Sequence, residues 1–174
     1  MSVAAAPSIT KNIEYYDVKG WDAAFIKNEM NAKGPRDMNS GNRVWAHTHW
    51  KVRWNFEYAE ESLSCEINRV ATSVTVNFVV PKWIERDKAP QLVRDKWDNF
   101  YTTLQKHEQQ HAMHGVQAAR DIENQIASLP AKRTCKQAKE AANIAAKAII
   151  KKYSDMDIAY DSKTDHGRTE GVVF

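Results

Sequence analysis

The sequence predicts a single α+β domain in which a small antiparallel sheet packs against one long helix and further helices. Three observations predict this fold. Residues 44–58 alternate between apolar and polar side chains, as a half-buried strand does, and residues 64–80 are rich in valine and other strand formers. Residues 89–129 repeat large apolar side chains every three or four positions, as a helix does. A chain of 174 residues is long enough for one domain with a sizeable core.

The N-terminal part contains shorter elements. We expect residues 1–12 to be a flexible segment, of the kind left after a signal peptide is cleaved, and residues 13–174 to form the domain. Residues 13–18 favour a short strand. A helix is predicted over residues 22–32, where apolar side chains have core spacing, and the Gly34-Pro35 pair would end it.

The remaining elements follow the two main strands. Polar residues 59–62 suit a hairpin connection between those strands. Pro130 separates the long helix from another one over residues 135–153, for which Thr134 is a suitable N-cap. We expect residues 155–174 to form a polar, turn-rich loop without a helix.

Composition argues against two classes of protein. The net charge of +3 is mild, whereas a dedicated nucleic-acid-binding protein would show a concentrated basic stripe. The lysine-rich outer face of the last predicted helix is expected to be solvated, and a site for an acidic surface is the alternative. No run of eighteen apolar residues occurs, so we expect no transmembrane segment.

The two cysteines, Cys65 and Cys135, have two interpretations. One is a disulfide formed in an oxidising compartment, which would enclose about 70 residues and stabilise the fold by about 4 kcal/mol. The other is a pair of unrelated buried thiols. Neither cysteine has a second one at metal-finger spacing, so we do not expect a structural cysteine–zinc site.

The middle of the long helix carries a His-Glu-x-x-His motif. His107 and His111 are four residues apart, so on a helix they lie on one face and can both reach one metal ion. Glu108 is adjacent and suits a general base that takes a proton from water. Both histidines lie on the apolar stripe and would be buried. The alternative is a pair of hydrogen-bonded core histidines without a metal.

A catalytic zinc ion needs a third protein ligand, and the C-terminal loop offers candidates. We favour His166, then Asp161, then Glu170; Glu140 on the last predicted helix is a further candidate. Tyr160 or Arg168 could hydrogen-bond the oxyanion that develops during hydrolysis. His47 and His49 lie on the polar face of the first long strand. They would line the cleft if that strand borders the long helix, but we expect them to be exposed.

Several separate segments of the chain resemble one known family. They are residues 16–20, 30–35, 48–54, 79–83, 107–111 and 160–171, in that order. The sequence is similar to the domain of unknown function 922 family, bacterial proteins described as predicted secreted zinc-dependent proteases. The resemblance implies export, a zinc ion at His107 and His111 and a peptidase activity. The family would have Gln at the position of Glu170.

Together these observations predict a zinc-dependent metallopeptidase that acts on a peptide or protein substrate. His107, His111 and His166 would bind Zn²⁺, and Glu108 would activate the attacking water. Two alternatives remain open: a non-catalytic binding module of the cell envelope, and a zinc amidase that acts on cell-wall peptides. We expect the protein to be secreted or periplasmic.

Overall fold

The computed structural model describes residues 6–174 and has the predicted mixed α+β fold. Three strands and three helices follow in the order β1, α1, β2, β3, α2, α3. The strands are β1 (Ser8–Val18), β2 (His47–Glu61) and β3 (Ser64–Trp83). The helices are α1 (Ala23–Lys33), α2 (Gln91–Ala127) and α3 (Cys135–Thr164).

The three strands form one sheet in the order β1-β3-β2. The two long strands are joined by only two residues, so the predicted antiparallel hairpin is confirmed. β1 pairs with the other side of β3. The side chain of Asn12 bonds Asn77, and the carbonyl of Val18 accepts from the amide of Ile84. The residue numbers of the paired positions increase together along the two strands, which indicates that β1 runs parallel to β3. β2, in contrast, is antiparallel to β3.

Contacts divide the chain into two compact units, and one of them contains all the residues of the motif in α2. This second unit comprises Lys11–His49, Asn77–Ala112 and Asp157–Phe174. Its core consists of aromatic and aliphatic side chains, centred on Trp97 and Phe100 of α2. Trp97 contacts Trp83, Phe100 and Phe174 with ring centroids 5.3 to 5.6 Å apart. The core therefore fixes the N-terminal half of α2, which precedes the motif.

The first unit contains Trp50–Val76 and Met113–Met156, with the N-terminal residues up to Thr10. Cys65 and Cys135 form a disulfide, which confirms one of the two interpretations of the cysteines. Cys65 also pairs through its backbone with Lys132. The start of β3 is therefore held covalently to the first residue of α3 and by hydrogen bonds to the segment before it.

The structure corrects the predicted boundaries at both ends of the chain. α3 continues to Thr164, so the first half of the predicted C-terminal loop is helical. The inward positions of its last turns carry polar residues instead of apolar ones, so the hydrophobic period could not reveal them. β1 begins at Ser8, five residues before the predicted start; residues 1–5 of the predicted N-terminal segment lie outside the described residues. Within residues 6–174, no helix has the length and hydrophobicity needed to cross a membrane.

Candidate metal centre

Helix α2 places three chemically active side chains together inside the second unit. His107, Glu108 and His111 are only 3%, 4% and 5% exposed. The two histidines lie on the same face, one turn apart, with ring centroids 5.0 Å from each other. The apolar stripe of α2 therefore continues into a buried polar site, as the sequence predicts.

The last turns of α3 bring a carboxylate against both imidazoles. Oδ1 of Asp161 lies 3.1 Å from Nε2 of His107 and 3.0 Å from Nε2 of His111. The two Nε2 atoms are themselves 3.3 Å apart. Two nitrogens and one oxygen therefore form a nearly equilateral triangle.

The dimensions of this triangle fit a tetrahedral metal ion. Zinc bonds of about 2.0–2.1 Å to nitrogen and oxygen require neighbouring ligand atoms to be about 3.3 Å apart in a tetrahedron. The three measured separations are close to that value. Two imidazoles and one carboxylate are also a ligand set that zinc accepts, with one position left for water or a substrate. His107, His111 and Asp161 could thus hold a zinc ion.

The outer nitrogen of each imidazole contacts a second carboxylate. Nδ1 of His107 lies 3.0 Å from Oε2 of Glu170, and Nδ1 of His111 lies 2.9 Å from Oδ1 of Asp157. A carboxylate at Nδ1 favours the tautomer that carries its proton there, which leaves the lone pair of Nε2 facing the triangle. This arrangement is typical of histidines that bind metals.

The triangle and its supporting carboxylates are strongly coupled electrostatically in the metal-free protein. Burial lowers the pKa of His111, but the hydrogen bonds of Asp157 and Asp161 outweigh it and raise the pKa to about 10. The pKa of His107 is also raised: burial opposes the shift, and the bonds of Asp161 and Glu170 exceed it. Burial raises the pKa of Asp161, but the two imidazoles dominate and hold it well below its usual range. Without a metal, these carboxylates therefore make both imidazoles hold a proton more tightly than a free histidine does.

Glu108 lies beside the triangle and is held by the first strand of the hairpin. Oγ1 of Thr48 lies 2.5 Å from Oε2 of Glu108 and 3.3 Å from its backbone oxygen. Burial raises the pKa of the Glu108 carboxyl, and the Thr48 hydrogen bond partly offsets this effect. A carboxylate with a raised pKa is a better proton acceptor near neutral pH.

Tyr160 and Arg168, predicted to stabilise an oxyanion, have other partners in the structure. The ring of Tyr160 stacks on His107 with centroids 4.8 Å apart, and its hydroxyl donates to both oxygens of Glu170 at 2.9 Å. Arg168 is exposed and forms an ion pair with Asp165 at 2.8 Å. Tyr160 thus supports the site as a wall, and the oxyanion role of both residues stays a prediction.

The candidates for the third ligand occupy different places. Asp161, ranked second from the sequence, has its carboxylate in the triangle. The side chain of His166, ranked first, is 43% exposed, and its Nδ1 lies 3.6 Å from Oδ1 of Asp161. Glu170 bonds the outer nitrogen of His107, and Glu140 is exposed on α3. The geometry therefore favours Asp161 over His166.

Two residues of the site were not singled out from the sequence. Asp157 precedes Asp161 by four residues, the same spacing as His107 and His111, so two carboxylates on one helix face meet two imidazoles on another. That matched spacing was the available signal for Asp157. Thr48 gave none, because a threonine on a strand is ordinary.

Comparison with known proteins gives one family. A family model described as bacterial protein of unknown function (DUF922) matches residues 13–167. The matched range includes His107, His111 and Asp161, the three residues of the triangle. Searches of curated proteins and of solved structures find no significant match.

Proposed function

Because the chain belongs to the DUF922 family of bacterial proteins of unknown function, its activity has to be inferred from its residues, and we propose a zinc-dependent metallopeptidase. The observation that supports it is the triangle of His107, His111 and Asp161, with Glu108 beside it. We propose Asp161 as the third ligand, in the role that the sequence analysis first gave to His166.

The proposed chemistry divides between the metal and the chain. Bound zinc would supply a Lewis acid that polarises a carbonyl oxygen and lowers the pKa of water to about 7. Glu108 accepts the proton of the attacking water and later delivers it to the leaving amine. The hydroxyl of Thr48 holds the carboxylate of Glu108 in one orientation. The oxygen that accepts the proton is therefore already in position before the reaction begins.

Burial of Glu108 has a direct role in this proposal. Burial raises the pKa of Glu108, which brings its acid and base forms closer in energy at neutral pH. A residue that first takes and then returns a proton works best under this condition. The two imidazoles and Asp161 need no proton transfer of their own.

We also propose that the protein acts outside the cytoplasm, in the periplasm or after secretion. The support is the disulfide between Cys65 and Cys135, since such bonds persist mainly in oxidising compartments. Peptides and unfolded proteins of the cell envelope are then the substrates within reach.

The test combines metal content with hydrolysis. We expect purified protein to bind one zinc per chain and to cleave reduced, carboxymethylated casein, and we expect a chelator to abolish cleavage. Glu108→Gln should keep the zinc and lose hydrolysis, because the amide cannot accept the proton. Glu140→Gln, which changes an exposed glutamate, is the matched control and should retain both.

The outcomes separate the alternatives left open by the sequence. Stoichiometric zinc without cleavage of casein or of cell-wall peptides would indicate a non-catalytic binding module. Cleavage of cell-wall peptides alone would indicate an amidase. A protein that binds no zinc after reconstitution would refute the peptidase and the amidase, and it would leave a metal-free binding module.

A further inference from the structure

The first residue of β2 has a property that the proposed mechanism does not use. His47 precedes Thr48, the residue that bonds Glu108. Its ring is half-buried rather than exposed as expected from the sequence, and its Nε2 is buried without a hydrogen-bond partner among residues 6–174. Leaving a buried polar atom without a partner is unfavourable, because its hydration is lost and not replaced. A nitrogen of this kind next to a reactive site is a candidate for contacting a ligand.

The surroundings of His47 include the candidate metal centre. Its ring interacts electrostatically with Asp161 and His111 of the triangle, and with Asp37 and His49. Burial is the main effect on the pKa of His47 and lowers it, so the ring is neutral at pH 7. A neutral imidazole carries one N–H donor, and it brings no positive charge that would oppose a nearby cation.

The other groups around the triangle have partners of their own. The hydroxyl of Tyr160 donates to Glu170, and Arg168 is paired with Asp165. The outer nitrogens of His107 and His111 contact carboxylates. His47, by contrast, has a buried ring nitrogen without a hydrogen-bond partner among residues 6–174.

We propose that Nε2 of His47 donates a hydrogen bond to the carbonyl oxygen of a peptide bound at the candidate metal centre. This inference rests on the proposed function and assigns to His47 the oxyanion-stabilising role predicted for Tyr160 or Arg168. The bond strengthens as negative charge develops on the oxygen, so His47 favours the transition state over the bound substrate.

The experiment compares three variants of the zinc-loaded protein. His47→Ala removes the donor, and His47→Gln replaces it with an amide N–H at a similar distance from the backbone. His49→Ala changes an exposed histidine two residues further along the same strand and is the matched control. Each variant is measured for zinc affinity by competition with a chromogenic chelator, for calorimetric binding of acetohydroxamic acid, and for kcat and KM with casein peptides.

We expect His47→Ala to keep its zinc affinity and to bind acetohydroxamic acid about tenfold more weakly. Its kcat should fall by about 100-fold with little change in KM, the loss typical of one missing oxyanion donor. His47→Gln should recover part of both losses, and His49→Ala should match the wild type.

Three results would overturn this role. The role is excluded if both His47→Ala and His47→Gln bind the hydroxamate and cleave peptides like the wild type. It is also excluded by a large loss of zinc affinity, which would make His47 a metal ligand, or by a zinc-loaded wild type that does not bind the hydroxamate. A wild type that binds no zinc refutes the proposed function itself, so the two failures are distinguishable.

Discussion

Oδ1 of Asp161 lies 3.0 Å from Nε2 of His111, on the side opposite the nitrogen that contacts Asp157. This carboxylate contacts both imidazoles, whereas Nδ1 of His166 lies 3.6 Å from the carboxylate itself. Asp161→Ala should therefore lower zinc affinity by at least about 100-fold, because it removes one of three ligands. His166→Ala should change it by less than about threefold. The zinc affinities of the two variants and the wild type are measured by competition with a chromogenic chelator.

Asp155→Ala is the matched control for this comparison. Asp155 is an exposed aspartate of the same helix and forms an ion pair with Lys151. The Asp155→Ala variant should bind zinc as tightly as the wild type. Equal zinc affinity in Asp161→Ala and the wild type, or a larger loss in His166→Ala, would contradict the assignment.

Glu170 should tune the affinity of His107 for the metal. Its carboxylate bonds Nδ1 of His107 and accepts from Tyr160, and these two bonds outweigh the effect of burial and lower its pKa. Glu170→Gln keeps an acceptor oxygen but removes the negative charge, so His107 becomes a weaker ligand. We expect zinc affinity to fall about tenfold, at the low end for such supporting residues.

Tyr160→Phe separates the two parts of this contact. It removes the hydroxyl that holds Glu170 but keeps the ring that stacks on His107. We expect a smaller loss than in Glu170→Gln. If Glu170→Gln binds zinc as tightly as the wild type, the carboxylate does not act on the metal.

The stability of the metal-free protein should fall in alkaline solution. His111 has a pKa of about 10 in the fold and about 6.5 when unfolded, so the folded chain holds the proton more tightly. This stabilisation is complete below about pH 6.5 and is lost as the pH rises through about 10. Urea unfolding in the presence of a chelator, at pH 6.5, 8 and 10, measures it.

Zinc provides the control for this pH dependence. The ion binds the nitrogen that would otherwise carry the proton, so saturating zinc should remove the loss of stability between pH 6.5 and 10. His111→Gln should flatten the profile of the metal-free protein. A free energy of unfolding that rises with pH in the metal-free wild type would show that the proton does not stabilise the fold.

The sequence was most informative where hydrophobic and polar patterns coincide. The apolar stripe of α2 predicted the inward direction of His107 and His111, and both are buried as expected. Because they are four residues apart on one helix, the two imidazoles lie on the same face, one turn apart. Local helix geometry alone determines this, without any tertiary contact. The alternation in β2 and the apolar residues of β3 predicted the hairpin for the same reason.

The rest of the site depends on long-range packing. α3 was predicted to stop at residue 153 because the next inward positions hold Asp157, Asp161 and Thr164 instead of apolar residues. Asp157 and Asp161 face the imidazoles of α2, and Thr164 bonds Tyr160 and Gly167. The buried face of the helix is therefore polar over its last turns, and a hydrophobic period does not reveal it. His47 was predicted to be exposed because strand alternation assigns a face but not what covers it.

The disulfide should account for a measurable part of the stability. Replacing Cys65 and Cys135 together with Ala removes a link across 70 residues and should lower the free energy of unfolding by about 4 kcal/mol. Urea unfolding followed by tryptophan fluorescence measures the change. Reduction of the wild type should reproduce most of it. A variant as stable as the oxidised wild type would show that the bond adds no net stability.

Gly167 should be required for the position of His107. Its φ of +82° is left-handed, and an added Cβ would lie 2.6 Å from Cγ2 of Val172 and 3.0 Å from Cγ of His107. Gly41 is a matched control, because its φ is +72° and, apart from its chain neighbours, no atom of residues 6–174 lies within 4 Å of an added Cβ. Both glycine-to-alanine changes cost about 1–2 kcal/mol in backbone strain. Only Gly167→Ala should also displace the imidazole and weaken zinc binding, measured by chelator competition; equal zinc affinity in the two variants would refute this role of Gly167.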